Sequence, residues 1–173
     1  MITLVCGTPG SGKSARAEEL FSQTEAVNKY YIATMEVFDA EGEKRVEKHR
    51  KAREGKGFIT IEIPCNVDRA LEDIKDPAHS AVLLECLSNL AGNEMHADGI
   101  TYHPVTDAEL SEMTERISAD ILRLSDAVSE LIVVANMFPE EDDMYDEETE
   151  TYVRLNNALT GRIRLMADKV VDI

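Results

Sequence analysis

Apolar residues fall in short blocks separated by stretches of helical character, and that alternation organises the whole chain. Residues 2–6, 29–34, 58–63, 81–86, 131–135 and 169–173 predict strands, being short, apolar and rich in β-branched or aromatic residues. Block 58–63 alternates, with Phe58, Thr60 and Glu62 on one side and Ile59, Ile61 and Ile63 on the other. Block 81–86 is continuously apolar up to Glu85, as a strand buried on both faces requires. Helices are predicted over 15–22, from Val67 to about Ile74 behind an Asn66 cap, from Ser88 onward, and over 152–167. Thr106-Asp107-Ala108-Glu109 has the form of a capping box. It opens a long helix whose stripe is Leu110, Met113, Ile117, Ile121, Leu124, Val128 and Leu131, read as core or a helix–helix seam. The alternation predicts an α/β fold: one domain, 1–173, with an open, mostly parallel sheet and helices on both faces.

Composition narrows the class. The chain has 173 residues, 43% hydrophobic and 30% charged, ordinary for a globular protein with a full core. No run of about 18 apolar residues occurs, so no membrane insertion is expected. Met1 leads directly into the first strand, which predicts a cytoplasmic protein. Cys6, Cys65 and Cys86 are scattered and form no C-x-x-C pair, so buried thiols are expected. His96 and His103 lack a second ligand at helical spacing. Net charge is −16, yet residues 1–70 balance 11 basic against 11 acidic groups, leaving 7 and 23 for the rest. That distribution argues against nucleic acid or an anionic membrane as partner. Any bound anion must be held by local positive charge in the first half. The acidic run 139–150 reads as a solvated loop leading into a helix.

Gly7-Thr8-Pro9-Gly10-Ser11-Gly12-Lys13-Ser14 supplies the candidate chemistry. It reads G-x-x-x-x-G-K-S between a strand and a helix, the phosphate-binding loop of P-loop NTPases. The glycines let backbone amides turn inward around an anion. Lys13 reaches the β- and γ-phosphates, and the Ser14 hydroxyl is a natural Mg²⁺ ligand. Glu85, at the end of a buried strand, is the second metal-directing acid; the competing reading is a cap for the next helix. The most basic segment, 43–56, places Arg45, His49 and Arg53 four residues apart on one helical face. Such a face is ordinarily just solvated. It also suits a triphosphate, with the arginines on phosphate oxygens and His49 kept neutral and nucleophilic.

Taken in order, these groups resemble the bifunctional adenosylcobinamide kinase/adenosylcobinamide-phosphate guanylyltransferases of cobalamin biosynthesis. The loop GTPGSGKS is similar to that family's start, and Tyr31-Ile32-Ala33-Thr34 to its Y-I-A-T strand. Residues 45–53 resemble its R-[IV]-x-x-H-x-x-x-R element, and Leu83-Leu84-Glu85-Cys86-Leu87 with Asn89-Leu90 its L-[LV]-[ED]-C-L-T…N-L stretch. Val133 to Asn136, Asn156-Asn157-Ala158-Leu159 and Ala167-Asp168-Lys169-Val170 resemble its V-x-N, N-Q-x-L-A and A-D-x-V. The order and spacing are specific; the pieces after the loop are not.

The resemblance implies a P-loop fold and two activities. A nucleoside triphosphate, ATP or GTP, phosphorylates the hydroxyl of adenosylcobinamide. GMP is then transferred from GTP through a guanylylated histidine, the position His49 occupies. It also implies a homo-oligomer, a trimer. The chain departs from the family's pattern at Cys6, which replaces a glycine, and after Asn136, where Met137-Phe138-Pro139 stands for a glycine-rich loop. The spacing to Ala167-Asp168 is longer, and the family's glycine-proline tail has no counterpart after Ile173. Two other readings stay open: a P-loop kinase of another small metabolite, and a non-catalytic nucleotide-binding regulator.

Overall fold

In a computed structural model, residues 1–36, 47, 50, 51, 55–97, 104–139 and 145–173 are described. The apolar blocks become β1 (Ile2–Gly7), β2 (Asn28–Ala33), β3 (Ile59–Glu62), β4 (Ser80–Glu85), β5 (Glu130–Asn136) and β6 (Lys169–Asp172). Every pairing is parallel, in the order β3-β2-β4-β5-β1-β6. Register aligns Leu4 with Val133 and Val133 with Leu84, so the C-terminal ends of β1, β5 and β4 lie side by side.

Alternate strand residues feed two cores. Leu4, Val82, Leu84, Leu131 and Val133 pack with Ile117, Ile121 and Leu124 of α3 (Asp107–Ala127) and with Leu155, Leu159 and Ile163 of α4 (Glu147–Met166). Leu87 and Leu90 of α2 (Leu87–Met95) join the same cluster. On the opposite face, Val5, Leu83, Ile132 and Val134 meet Ala17 and Phe21 of α1 (Lys13–Ser22). Each fully buried Leu, Ile or Phe contributes about 1.5–3 kcal/mol relative to exposure. Helices therefore cover both faces, as the alternation predicted. Among the described residues no helix is long and apolar enough to cross a membrane.

The predicted capping box is present. Thr106 Oγ1 accepts from Glu109 N at 3.3 Å, and Glu109 Oε2 accepts from Thr106 N at 2.8 Å. The stripe ends sooner than expected: Val128 is the cap and Leu131 belongs to β5. Asn66 does not cap a helix. It lies at φ 51°, its backbone N–H donates to buried Glu94 at 2.6 Å, and the segment after it is a 3-10 turn, Val67–Glu72. The last helix starts at Glu147 rather than 152, because Asp146 caps Thr149 N at 2.8 Å. Glu147, Glu148 and Glu150 then complement the positive end of the helix dipole. Part of the acidic run is thus helix, not loop.

Candidate functional site

β1 delivers the chain to the loop at Gly7. A Cβ there would collide with Ser11 Oγ and approach Ile173 O to 3.2 Å, so a side chain at this position would force the loop to shift. Gly10 at φ +80° and Gly12 at φ +91° take the left-handed conformation that side chains disfavour. Cys6, the departure from the family's glycine, lies within β1 and points into the core, where no glycine is required.

Gly12 precedes α1 with no side-chain cap, so the first amides of the helix are left facing the loop, as an anion site requires. Lys13 is 7% exposed, with Nζ donating to Thr8 O at 3.3 Å inside the loop. Ser14 Oγ donates to Glu85 Oε1, joining the loop helix to the end of β4. The structure thereby brings Lys13, Ser14 and Glu85 together, and α2 starts after Cys86, whose own side chain does not cap it. Ser14 Oγ and the Glu85 carboxylate are hard oxygen donors of the kind Mg²⁺ takes. Among the described residues there is no cluster of three or more His, Cys, Asp or Glu side chains fit to hold a metal alone.

Thr34 fixes the end of β4. Its Oγ1 donates to Cys86 O at 2.9 Å and accepts from Cys86 N at 2.8 Å, and its own N–H donates to Glu85 O at 3.1 Å. The Glu85–Cys86 peptide is cis. The segment after β5 is pinned as well: Met137 N donates to Gly7 O at 3.0 Å, and Asn157 Nδ2 to Phe138 O at 3.2 Å. Sequence reasoning gave Thr34 and Asn157 no role of their own, since their partners lie far along the chain.

Arg45, His49 and Arg53 lie outside the described residues. Of the same segment, Glu47, Arg50 and Lys51 are helical. Arg50 Nε donates to Glu62 Oε1 at 3.0 Å, at the C-terminal end of β3.

A cleft of about 780 Å³ opens beside these strand ends, against α2. Met35, Cys65, Asn89, Asn93, His96 and Tyr152 line it. Asn93 Nδ2 holds the wall by donating to Thr34 O at 2.7 Å and Pro64 O at 3.0 Å. Burial pushes the Tyr152 hydroxyl up to about 12, so it stays a neutral donor beside Ser88. Burial, helped by the charges of Glu94 and Glu36, pushes the Cys65 thiol up to about 11. Cys6 and Cys86 are buried, so Cys65 is the thiol open to reagent. The thiolate reacts and the thiol does not. Alkylation by iodoacetamide should therefore climb about tenfold per pH unit to beyond pH 10, where an ordinary thiol levels near 9. A plateau below pH 9.5 would contradict this environment.

The parallel sheet, the glycine loop opening α1 and the Lys13–Ser14–Glu85 group define a P-loop nucleotide-binding protein. A family model described as cobinamide kinase / cobinamide phosphate guanyltransferase matches residues 3–173, and the chain belongs to that family, CobU. The bifunctional adenosylcobalamin biosynthesis protein CobU of Escherichia coli is 32% identical over 124 residues, 72% of this chain and 66% of that protein. Its Salmonella typhimurium counterpart is 33% identical over 99 residues, 57% of this chain and 52% of that one. The chain thus aligns with just under two thirds of the first relative's length and about half of the second's. The flagellar accessory protein FlaH of Methanocaldococcus jannaschii superposes with a TM-score of 0.48 at 14% identity, over 99% of this chain and 70% of that chain.

Proposed function

We propose that this chain, a single nucleotide-binding domain, phosphorylates adenosylcobinamide with ATP or GTP and then transfers GMP from GTP to the product phosphate. The observation that carries the reading is Ser14 and Glu85 meeting beside Lys13, in a chain of this family. In the first step the acceptor hydroxyl oxygen attacks the γ-phosphorus. Its proton passes to solvent or a base, and the nucleoside diphosphate leaves. Lys13 and the loop amides hold the β- and γ-phosphates throughout. Ser14 and Glu85 would hold a Mg²⁺ ion, which would neutralise charge on the phosphates.

In the second step neutral His49 attacks the α-phosphorus of GTP, and the bond to the β-phosphate oxygen breaks. Pyrophosphate then departs from the same loop. Arg45 and Arg53 offset charge on the transferred group. The phosphate of adenosylcobinamide phosphate displaces His49 and takes the GMP. The working form is a homo-oligomer, a trimer.

The guanylyl step is tested by incubating the protein with Mg²⁺ and α-labelled GTP, then denaturing. An acid-labile, base-stable nucleotidyl adduct is expected, and it should vanish in His49→Ala. A folded protein that binds GTP yet forms no adduct would remove this step.

A further inference from the structure

We infer that Asn136 is a catalytic residue of the nucleotide site, its side-chain amide donating to the terminal phosphate of the bound triphosphate. This rests on the reading that the loop takes a nucleoside triphosphate.

The argument begins with strand order. β5 lies between β1, which carries the loop, and β4, which carries Glu85. The Ser14–Glu85 contact must therefore cross the C-terminal end of β5. A phosphate extending from the loop toward that pair lies over the same strand end. Asn136 is the last residue of β5, level with Gly7. Its face follows from alternation. Ile132 and Val134 pack with Ala17 and Phe21 of α1, and Asn136, two residues on, faces the same way.

The backbone there is held at successive points. Asn136 N–H donates to Ser88 Oγ at 3.1 Å, Asn136 O accepts from fully buried Asn156 Nδ2 at 2.9 Å, and the next N–H, of Met137, donates to Gly7 O at 3.0 Å. All of these bonds use the main chain. The Asn136 amide itself is half-buried and makes no hydrogen bond among the described residues. A backbone fixed this firmly aims one donor that no described residue uses. An amide suits the task because it donates without adding negative charge beside the phosphates, whereas a carboxylate would repel them.

The test compares Asn136→Ala and Asn136→Asp with wild type. Neither change removes a main-chain bond, so both variants should melt as wild type does. Dissociation constants are measured for GTP against GDP and ATP against ADP with Mg²⁺, alongside kcat for acceptor phosphorylation. Asn136→Ala should weaken triphosphate binding about tenfold, leave diphosphate binding unchanged and lower kcat about 100-fold. Asn136→Asp should bind triphosphate more weakly still. An unchanged ratio of triphosphate to diphosphate affinity would overturn the inference, as would equal losses for both ligands. A wild-type protein that binds triphosphate but phosphorylates no corrinoid would remove the functional reading. The affinity ratio would still decide the role of Asn136.

Discussion

Lys13→Ala should lower kcat/KM for acceptor phosphorylation about 1,000-fold and shift Tm by no more than about 3 °C. Lys13 is 7% exposed, so its ammonium is already largely out of water before nucleotide arrives. Among the described residues its ammonium donates to Thr8 O, a carbonyl on an exposed loop residue that water can satisfy instead. Removing the side chain therefore strands nothing in the core. What is lost is the only charge within Gly7–Ser14 that can follow negative charge as the phosphate transfers. A desolvated cation at that point is worth far more than one at the surface. Steady-state kinetics and a thermal melt check the two halves separately. Near-normal kcat/KM in a well-folded Lys13→Ala protein would mean that the loop is not the phosphate site.

Glu85→Gln should lower kcat by about 100-fold or more and raise the Mg²⁺ concentration for half-maximal rate about tenfold. The substitution preserves shape, and the Gln carbonyl can still accept from Ser14 Oγ. Only the negative charge disappears. Binding of the triphosphate without metal, measured in EDTA, should be equal or tighter, because one anion fewer faces the phosphates. Metal dependence and metal-free affinity thus move in opposite directions, which loss of fold would not produce. A variant with the wild-type Mg²⁺ titration would place the metal elsewhere.

The loop that carries Lys13 was legible in sequence because its signal is local. Gly7, Gly10, Gly12, Lys13 and Ser14 sit within eight positions, and glycine's freedom at positive φ leaves a visible mark. The capping box at Thr106 and Glu109 is local in the same sense. The start of α4 was misplaced for a related reason. A run of carboxylates signals solvation and a helix N-terminus alike, and Asp146 decides between them only once it caps Thr149.

The sequence by itself determined the class of fold, the phosphate loop and the two apolar faces of the sheet, because periodicity and short motifs act over a few residues. Tertiary structure alone decided the strand order, and with it the meeting of Ser14 and Glu85 across 71 positions. It also decided the clamp of Thr34 on Cys86 and the fixing of Asn136 by Ser88 and Asn156. Those contacts depend on which parallel strands become neighbours. That choice is made by burying whole sheet faces against helices, a collective free energy that no short stretch of sequence displays.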